Sequence, residues 1–246
     1  MSIEDENDLI GLKRIGELIG QTLRDVIESA QPGITTLDLD RFIQRKLSPL
    51  GVRSTPGHTY GFPAFACICV NDEAVHGLPG PRKIKAGDLV TVDLEADLDG
   101  YVADAASTFV VGKPTRHDTR LRTAARAACY EAIRHARVGR QTRDLGRAVE
   151  RRVHRDGFRV IRSLYGHGVG RAAHEAPSVP NFDDPRCRDV LHEGLVITIE
   201  PIVSAGNGQA TEDGRWIIRT ADGARSAHHE ETIVVTRGTP LVLTAA

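Results

Sequence analysis

The stretch Val90-Thr-Val-Asp-Leu-Glu-Ala-Asp-Leu-Asp-Gly-Tyr-Val-Ala-Asp-Ala-Ala-Ser-Thr-Phe109 reads as two alternating apolar runs joined by Asp99-Gly100. Asp-Gly between such runs is the strongest short-range hairpin signal, because both residues tolerate the positive φ of a two-residue turn. With Asp99 and Gly100 as the loop, Leu98 faces Tyr101 and Glu95 faces Asp104. Asp93 then lies diagonally across from Asp104 on the same face. Three carboxylates crowd one surface, and like charges that close destabilise a bare sheet. Either the register differs, the face is open to water, or a cation sits there; the rest of the chain favours the cation.

Around this hairpin the chain is ordinary globular material, with 246 residues, 40% hydrophobic, 26% charged and a formal net charge of -1. That charge gives no general attraction to nucleic acid or anionic membranes. The N-terminus, Met1-Ser-Ile-Glu-Asp-Glu-Asn-Asp8, is acidic, and no signal peptide or transmembrane run is visible. Cys67, Cys69, Cys129 and Cys187 form neither a disulfide framework nor a zinc-type Cys-x-x-Cys pair, which points to the reducing cytosol.

Upstream, Leu9, Leu12, Ile15, Ile19, Leu23, Val26 and Ile27 recur at helical spacing before Pro32-Gly33, predicting a helix over roughly 6–30. A second helix starts near Thr36 and stops before Gly51. Residues 54–63 read as a loop, 65–70 as a strand, and a third helix covers roughly 117–137. From Val138 the chain repeats itself: Gly33, Thr36, Asp38, Leu39, Arg41, Arg45 and Gly51 recur 106 positions later as Gly139, Thr142, Asp144, Leu145, Arg147, Arg151 and Gly157. Gly87-Asp-Leu-Val-Thr-Val-Asp93 likewise has an echo in Gly194-Leu-Val-Ile-Thr-Ile-Glu200. The economical reading is two αβ halves, about 8–112 and 113–243, related by a pseudo-twofold axis with one site at their seam. Residues 204–215 read as a Gly-rich polar loop, 216–219 as a short strand, and 232–236 as an apolar run behind His228-His-Glu-Glu231.

Asp93, Asp104, His167, Glu200 and Glu230 are the polar residues embedded in apolar strands or Gly-rich turns. Four carboxylates and an imidazole suit a pair of small divalent cations, since carboxylates bridge and histidine is a borderline donor for Mn, Fe, Co or Zn. Such a pair implies metal-assisted hydrolysis. Taken singly, each has a blander reading: a hairpin surface acid, a strand-end cap, a satisfied core histidine.

Together with His76 in Asn-Asp-Glu-Ala-Val-His-Gly-Leu-Pro79, Gly-His-Gly-Val-Gly-Arg-Ala-Ala-His174, Thr-Ile-Glu-Pro201 and Glu230-Glu-Thr-Ile-Val-Val235, the set resembles methionine aminopeptidase of type I. The resemblance runs from about residue 8 to 243. It implies an α+β, pita-bread fold forming one catalytic unit, a dinuclear metallopeptidase acting on the initiator methionine of nascent chains, and a cytoplasmic monomer. By the same resemblance Asp93 chelates one ion, His167 and Glu200 bind the other, and Asp104 and Glu230 bridge them. Glu230 is chosen over its neighbour Glu231 because the family's glutamate stands three residues before the Ile-Val-Val run, and a one-residue slip would put the ligand on the other face. Glu200 is the implied general base, His174 the donor to the scissile carbonyl, and His76 a group beside the substrate backbone.

The chain departs from the family at Ala173, where a pocket Phe is usual, and at Thr59, where a pocket Tyr is common. Phe62, Cys67 and Trp216 remain as pocket walls. A lost ring predicts a reshaped pocket and a loosened methionine preference, with selectivity changes of about 1–3 kcal/mol per methylene. Glu95 stands where the family tends to have a small or hydroxyl residue; hairpin geometry aims it at the metals, as an acceptor that tunes them, or leaves it a surface acid if the strand bends away. Arg140, Arg143, Arg147, Arg151 and Arg155 form a basic stripe, read as a solvated face in preference to a ribosomal contact. Two rivals use the same residues: an X-Pro-cleaving relative, which generally carries a large additional N-terminal domain, and a metal-free scaffold, which would have lost ligands.

Overall fold

The structure, a computed structural model, describes residues 1–245. Helix α1 (Glu6–Ser29) starts where the Asp5 carboxylate accepts the Asp8 amide, 3.0 Å away. Its stripe of Leu12, Ile15, Ile19, Leu23 and Val26 is fully buried. Gly16 and Gly20 press so closely on Leu243 and Thr244 that a Cβ at either would collide with backbone. The first helix is thereby tied to the end of the chain.

The remaining first-half elements are α2 (Thr36–Leu47), β1 (Arg53–Ser54), α3 (Thr55–Tyr60), β2 (Cys67–Val70), β3 (Glu73–Val75), β4 (Leu89–Leu98) and β5 (Tyr101–Val110). The hairpin has the expected register, with Leu98 opposite Tyr101 and Glu95 opposite Asp104. Asp99 and Gly100 both take positive φ, 53° and 79°. The second half contains α4 (Arg116–His135), α5 (Thr142–Arg155), β6 (Arg159–Val160), β7 (Tyr165–Gly168), β8 (Glu175–Pro180) and β9 (Val196–Ile199). It continues through β10 (Ile202–Ser204), β11 (Ala210–Asp213), β12 (Ile217–Thr220), β13 (Ser226–His228), β14 (Glu231–Val234) and β15 (Leu241–Val242).

The internal repeat is structural. Asp38 accepts the Thr35 amide at the start of α2, and Asp144 accepts the Gln141 amide at the start of α5. Each of those preceding residues makes one antiparallel bridge, Thr35 with Lys83 and Gln141 with Val190. In the sheets, β4 lies between β2 and β5 as β9 lies between β7 and β14, all antiparallel. Each half buries its own core: Ile19, Leu23, Leu39 and Ile43 against β2, β4 and β5 in one, and Leu121, Leu145, Val149 and Val153 under β9 and β14 in the other. This is the α+β pita-bread arrangement.

Hydroxyls stitch the halves together. Thr108 Oγ1 accepts from the His228 amide at 2.8 Å and donates to its carbonyl at 2.7 Å. Thr232 Oγ1 does the same for Asp104, at 2.9 and 2.7 Å. Between them the Glu230 amide donates to the Ala106 carbonyl at 2.9 Å. Strand β5 therefore runs antiparallel to residues 228–232, with two threonine side chains standing in for peptide groups.

The structure differs from the sequence reading in two segments. Residues 55–60 are a short helix rather than loop, begun by Ser54 capping the Gly57 amide, with Pro56 in the first turn, and ended by Gly61 at φ 73°. Residues 210–213 are a strand, β11, paired with β12; exposed over most of its length, it shows no apolar alternation to reveal it. Strand β2 also starts two residues late, because the Phe65 and Ala66 amides both donate to the buried Asp40 carboxylate at 2.9 Å.

Candidate metal centre

Strands β4 and β5 deliver Asp93, Glu95 and Asp104 to one wall of a cavity of about 440 Å³, and His167 on β7, Glu200 after β9 and Glu230 before β14 form the facing wall. All five residues expected as ligands thus converge, although they come from both halves of the chain. Glu231 takes the opposite face, where Tyr130 Oη and Thr244 Oγ1 each donate to its carboxylate at 2.7 Å. Only Glu230 of that pair reaches the cavity, as strand parity requires.

Second-layer hydrogen bonds set the orientation of the donors. His167 Nδ1 donates to the Gly168 carbonyl at 2.9 Å, which leaves the Nε2 lone pair facing Glu200 Oε1, 3.5 Å away. Thr198 Oγ1 accepts the His167 amide and donates to Glu200 Oε1, both at 3.0 Å. Burial pushes the His167 imidazole down to about 4, with His174 adding to the effect, so it is a neutral donor near pH 7. The acids move the other way. Loss of hydration, then the neighbouring carboxylates, raises Asp104, Glu200 and Glu230 well above the usual carboxylate range. Asp93 rises to about 6 through burial, opposed by a hydrogen bond shared with Asp104, and Glu95 is pushed up to about 8 by burial and by Asp93.

Asp104 Oδ1, Glu230 Oε1 and Glu95 Oε1 are buried without a hydrogen-bond partner. Buried polar oxygens are normally satisfied, so a cluster of unpartnered ones calls for a missing counter-charge. Asp104, His167 and Glu230 each place one donor atom within 4.8 Å of the others, and so do Glu200, His228 and Glu230. The donor set fits divalent cations of the Mn, Fe, Co or Zn type.

The rest of the cavity wall carries two more histidines and an apolar surface. His76 lies on its wall at φ 57°, held there because Gly77 packs against the Ile68 backbone and the Cys69 sulfur. The ring of His174 sits 4.1 Å from that of His167, centroid to centroid. Phe62 and Trp216 meet edge to face at 5.3 Å, with Cys67 beside them. Two expected pocket residues are not in the wall. Thr59 is solvent-exposed, since the helical turn of α3 aims Tyr60 at the cavity instead. Ala173 is 2% exposed and packed away from the cavity. The sequence reading missed Tyr60, Pro56, Leu164 and Tyr165, which line the cavity; a cap-and-proline signal at Ser54-Thr-Pro56 was the available clue to the first two.

The basic stripe along α5 is partly neutralised by Asp144, 3.5 Å from Arg147, and by Asp183, which its spacing did not reveal and which accepts from both Arg143 and Arg147, at 2.8 and 3.0 Å.

A curved pair of related sheets holding carboxylates and a neutral imidazole over a peptide-sized cavity defines a metallopeptidase, and the chain belongs to metallopeptidase family M24, whose profile matches residues 11–237. Within that family it is similar to the methionine aminopeptidase of Clostridium perfringens, 37% identical over 98% of both chains. It is equally similar to methionine aminopeptidase 2 of Bacillus subtilis, 37% identical over 99% of both. The crystal structure of methionine aminopeptidase from Thermotoga maritima superposes with a TM-score of 0.95 at 34% identity, covering the whole of both chains.

Proposed function

We propose that this chain is a metal-dependent aminopeptidase that removes N-terminal methionine from peptides and nascent proteins. The observation that carries the reading is the convergence of Asp93, Asp104, His167, Glu200 and Glu230 on one cavity beside an apolar wall, in a chain similar throughout to methionine aminopeptidases. Those five residues would hold two divalent ions, which when bound lower the pKa of water and polarise a carbonyl. Because both halves contribute ligands, the catalytic unit is the whole chain.

The chain's own groups do the rest. Glu200, whose Oε1 faces His167 across 3.5 Å, would accept a proton from the attacking water and pass it to the leaving amine. His174 Nε2–H donates to the oxygen of the scissile carbonyl as charge develops there. His76, in the same cavity lining, would donate to the substrate backbone. Phe62, Cys67 and Trp216 receive the first side chain. Among the described residues no helix is long and apolar enough to cross a membrane, and we place the enzyme in the cytoplasm as a monomer acting on free N-termini.

The test is a peptide panel on cobalt- or manganese-loaded protein, comparing Met-, Leu-, Phe- and X-Pro-initiated substrates. Release of free methionine is the expected result. Cleavage confined to X-Pro bonds, or none by metal-loaded protein, overturns the reading.

A further inference from the structure

His228 ends β13 directly behind the two glutamates of the centre, and none of the roles above uses it. It is 2% exposed, and neither ring nitrogen has a hydrogen-bond partner. Its Nε2 stands 3.5 Å from Glu230 Oε2 and 4.0 Å from Glu200 Oε2. Both distances are too long for a good hydrogen bond. The shorter one matches donors around a shared cation, since ligands at about 2.0–2.2 Å from one tetrahedral ion stand roughly 3.4 Å apart, and the longer one fits a more open angle at the same ion. The Thr108 hydroxyl holds the His228 backbone at both its amide and its carbonyl, so the ring is carried on a fixed strand end.

We propose that Glu200, His228 and Glu230 form a further divalent-cation site, separate from the pair assigned to Asp93, Asp104, His167, Glu200 and Glu230. Glu200 is arranged to serve both, with Oε1 facing His167 and Oε2 facing His228. Both His228 ring nitrogens are without a hydrogen-bond partner, so Nε2 is free to ligate. A borderline N/O donor set of this kind takes Zn, Co or Mn in preference to Mg or Ca.

The proposal rests on the metal-centre reading above, and metal stoichiometry separates the two. The tag-free full chain is stripped with chelator, titrated with Zn²⁺ or Co²⁺, and its bound metal counted by elemental analysis and native mass spectrometry. Three ions per chain at saturation are expected for the wild type and two for His228→Gln. Two ions in both proteins, or three in both, overturns the third site and leaves the centre intact; no bound ion overturns the centre itself. Because the variant could fold poorly, zinc-edge anomalous diffraction on wild-type crystals gives an independent readout. A peak within bonding distance of His228 Nε2 supports the site, and peaks confined to the Asp93, Asp104 and His167 side refute it.

Discussion

The phenol oxygen of Tyr60 stands 2.7 Å from Nδ1 of His174. Burial, and then the charge of Glu95, raises the Tyr60 pKa, so the phenol stays protonated. With the O–H donating to Nδ1, the hydrogen of the neutral imidazole would sit on Nε2, the atom proposed to meet the scissile carbonyl. Tyr60→Phe should therefore lower kcat by roughly 2–10-fold, the worth of one neutral hydrogen bond, with little change in KM. His174→Ala should cost roughly 10²–10³. Steady-state kinetics on a Met-initiated peptide checks both, and an unchanged kcat in Tyr60→Phe would remove Tyr60 from the mechanism.

Asp104 accepts no hydrogen bond at Oδ1 and faces His167 and Glu230 across the cavity. Asp104→Ala is expected to abolish both tight metal binding and hydrolysis. Elemental analysis alongside the peptide assay tests this, and a metal-loaded, active variant would sink the ligand assignment.

Glu95 links the site to stability. Its pKa rises from an ordinary 4.5 to about 8 in the folded chain. Between those values the folded state holds more protons than the unfolded state, so stability falls as pH rises through that window. Thermal unfolding in chelator should show a Tm that declines from pH 6.5 to 8, above the window in which the lowered pKa of His167 acts in the opposite direction. Glu95→Gln should flatten the decline, and added divalent metal should offset it. A metal-free Tm that rises over the same range would contradict the burial argument.

Selectivity should follow the cavity wall. Trp216→Ala is expected to shrink the preference for Met over Leu by about 1–3 kcal/mol, read as the ratio of kcat/KM values. Ala173→Phe should instead lower the Tm, because a ring forced into a filled site costs about 1–3 kcal/mol, and should leave the substrate ratio unchanged. A sharpened methionine preference in that variant would restore Ala173 to the pocket.

These residues show how far sequence reading reaches. The hairpin was legible because Asp-Gly sets a register by local turn chemistry, and register alone puts Asp93, Glu95 and Asp104 on one face. The ligand set was legible because charged residues inside apolar strands contradict their surroundings. Glu231 lay one residue from a wrong assignment, and strand parity separated it from Glu230. Tyr60 and the Thr108 and Thr232 links were not legible, since each depends on contacts more than a hundred residues apart in the chain. Position in the chain alone makes Thr59 and Ala173 pocket residues, but a turn of helix and a buried packing site turn them away from the cavity.

The hydroxyl-stitched seam also dictates where the chain tolerates changes of length. Asp104 and Glu230 meet because β5 and residues 228–232 run in one register, with Thr108, Ala106 and Asp104 matched to His228, Glu230 and Thr232. Adding or deleting one residue within either segment would turn an acid away from the cavity and strand a threonine among carbonyls. The turns at 205–209 and 221–224 lie outside that register and are tied to each other instead, with the Asp222 carboxylate accepting the Asn207 amide at 2.7 Å. Evolution of this scaffold toward new substrates is thereby channelled into its loops and helix ends, while the two facing strands keep a fixed count of residues.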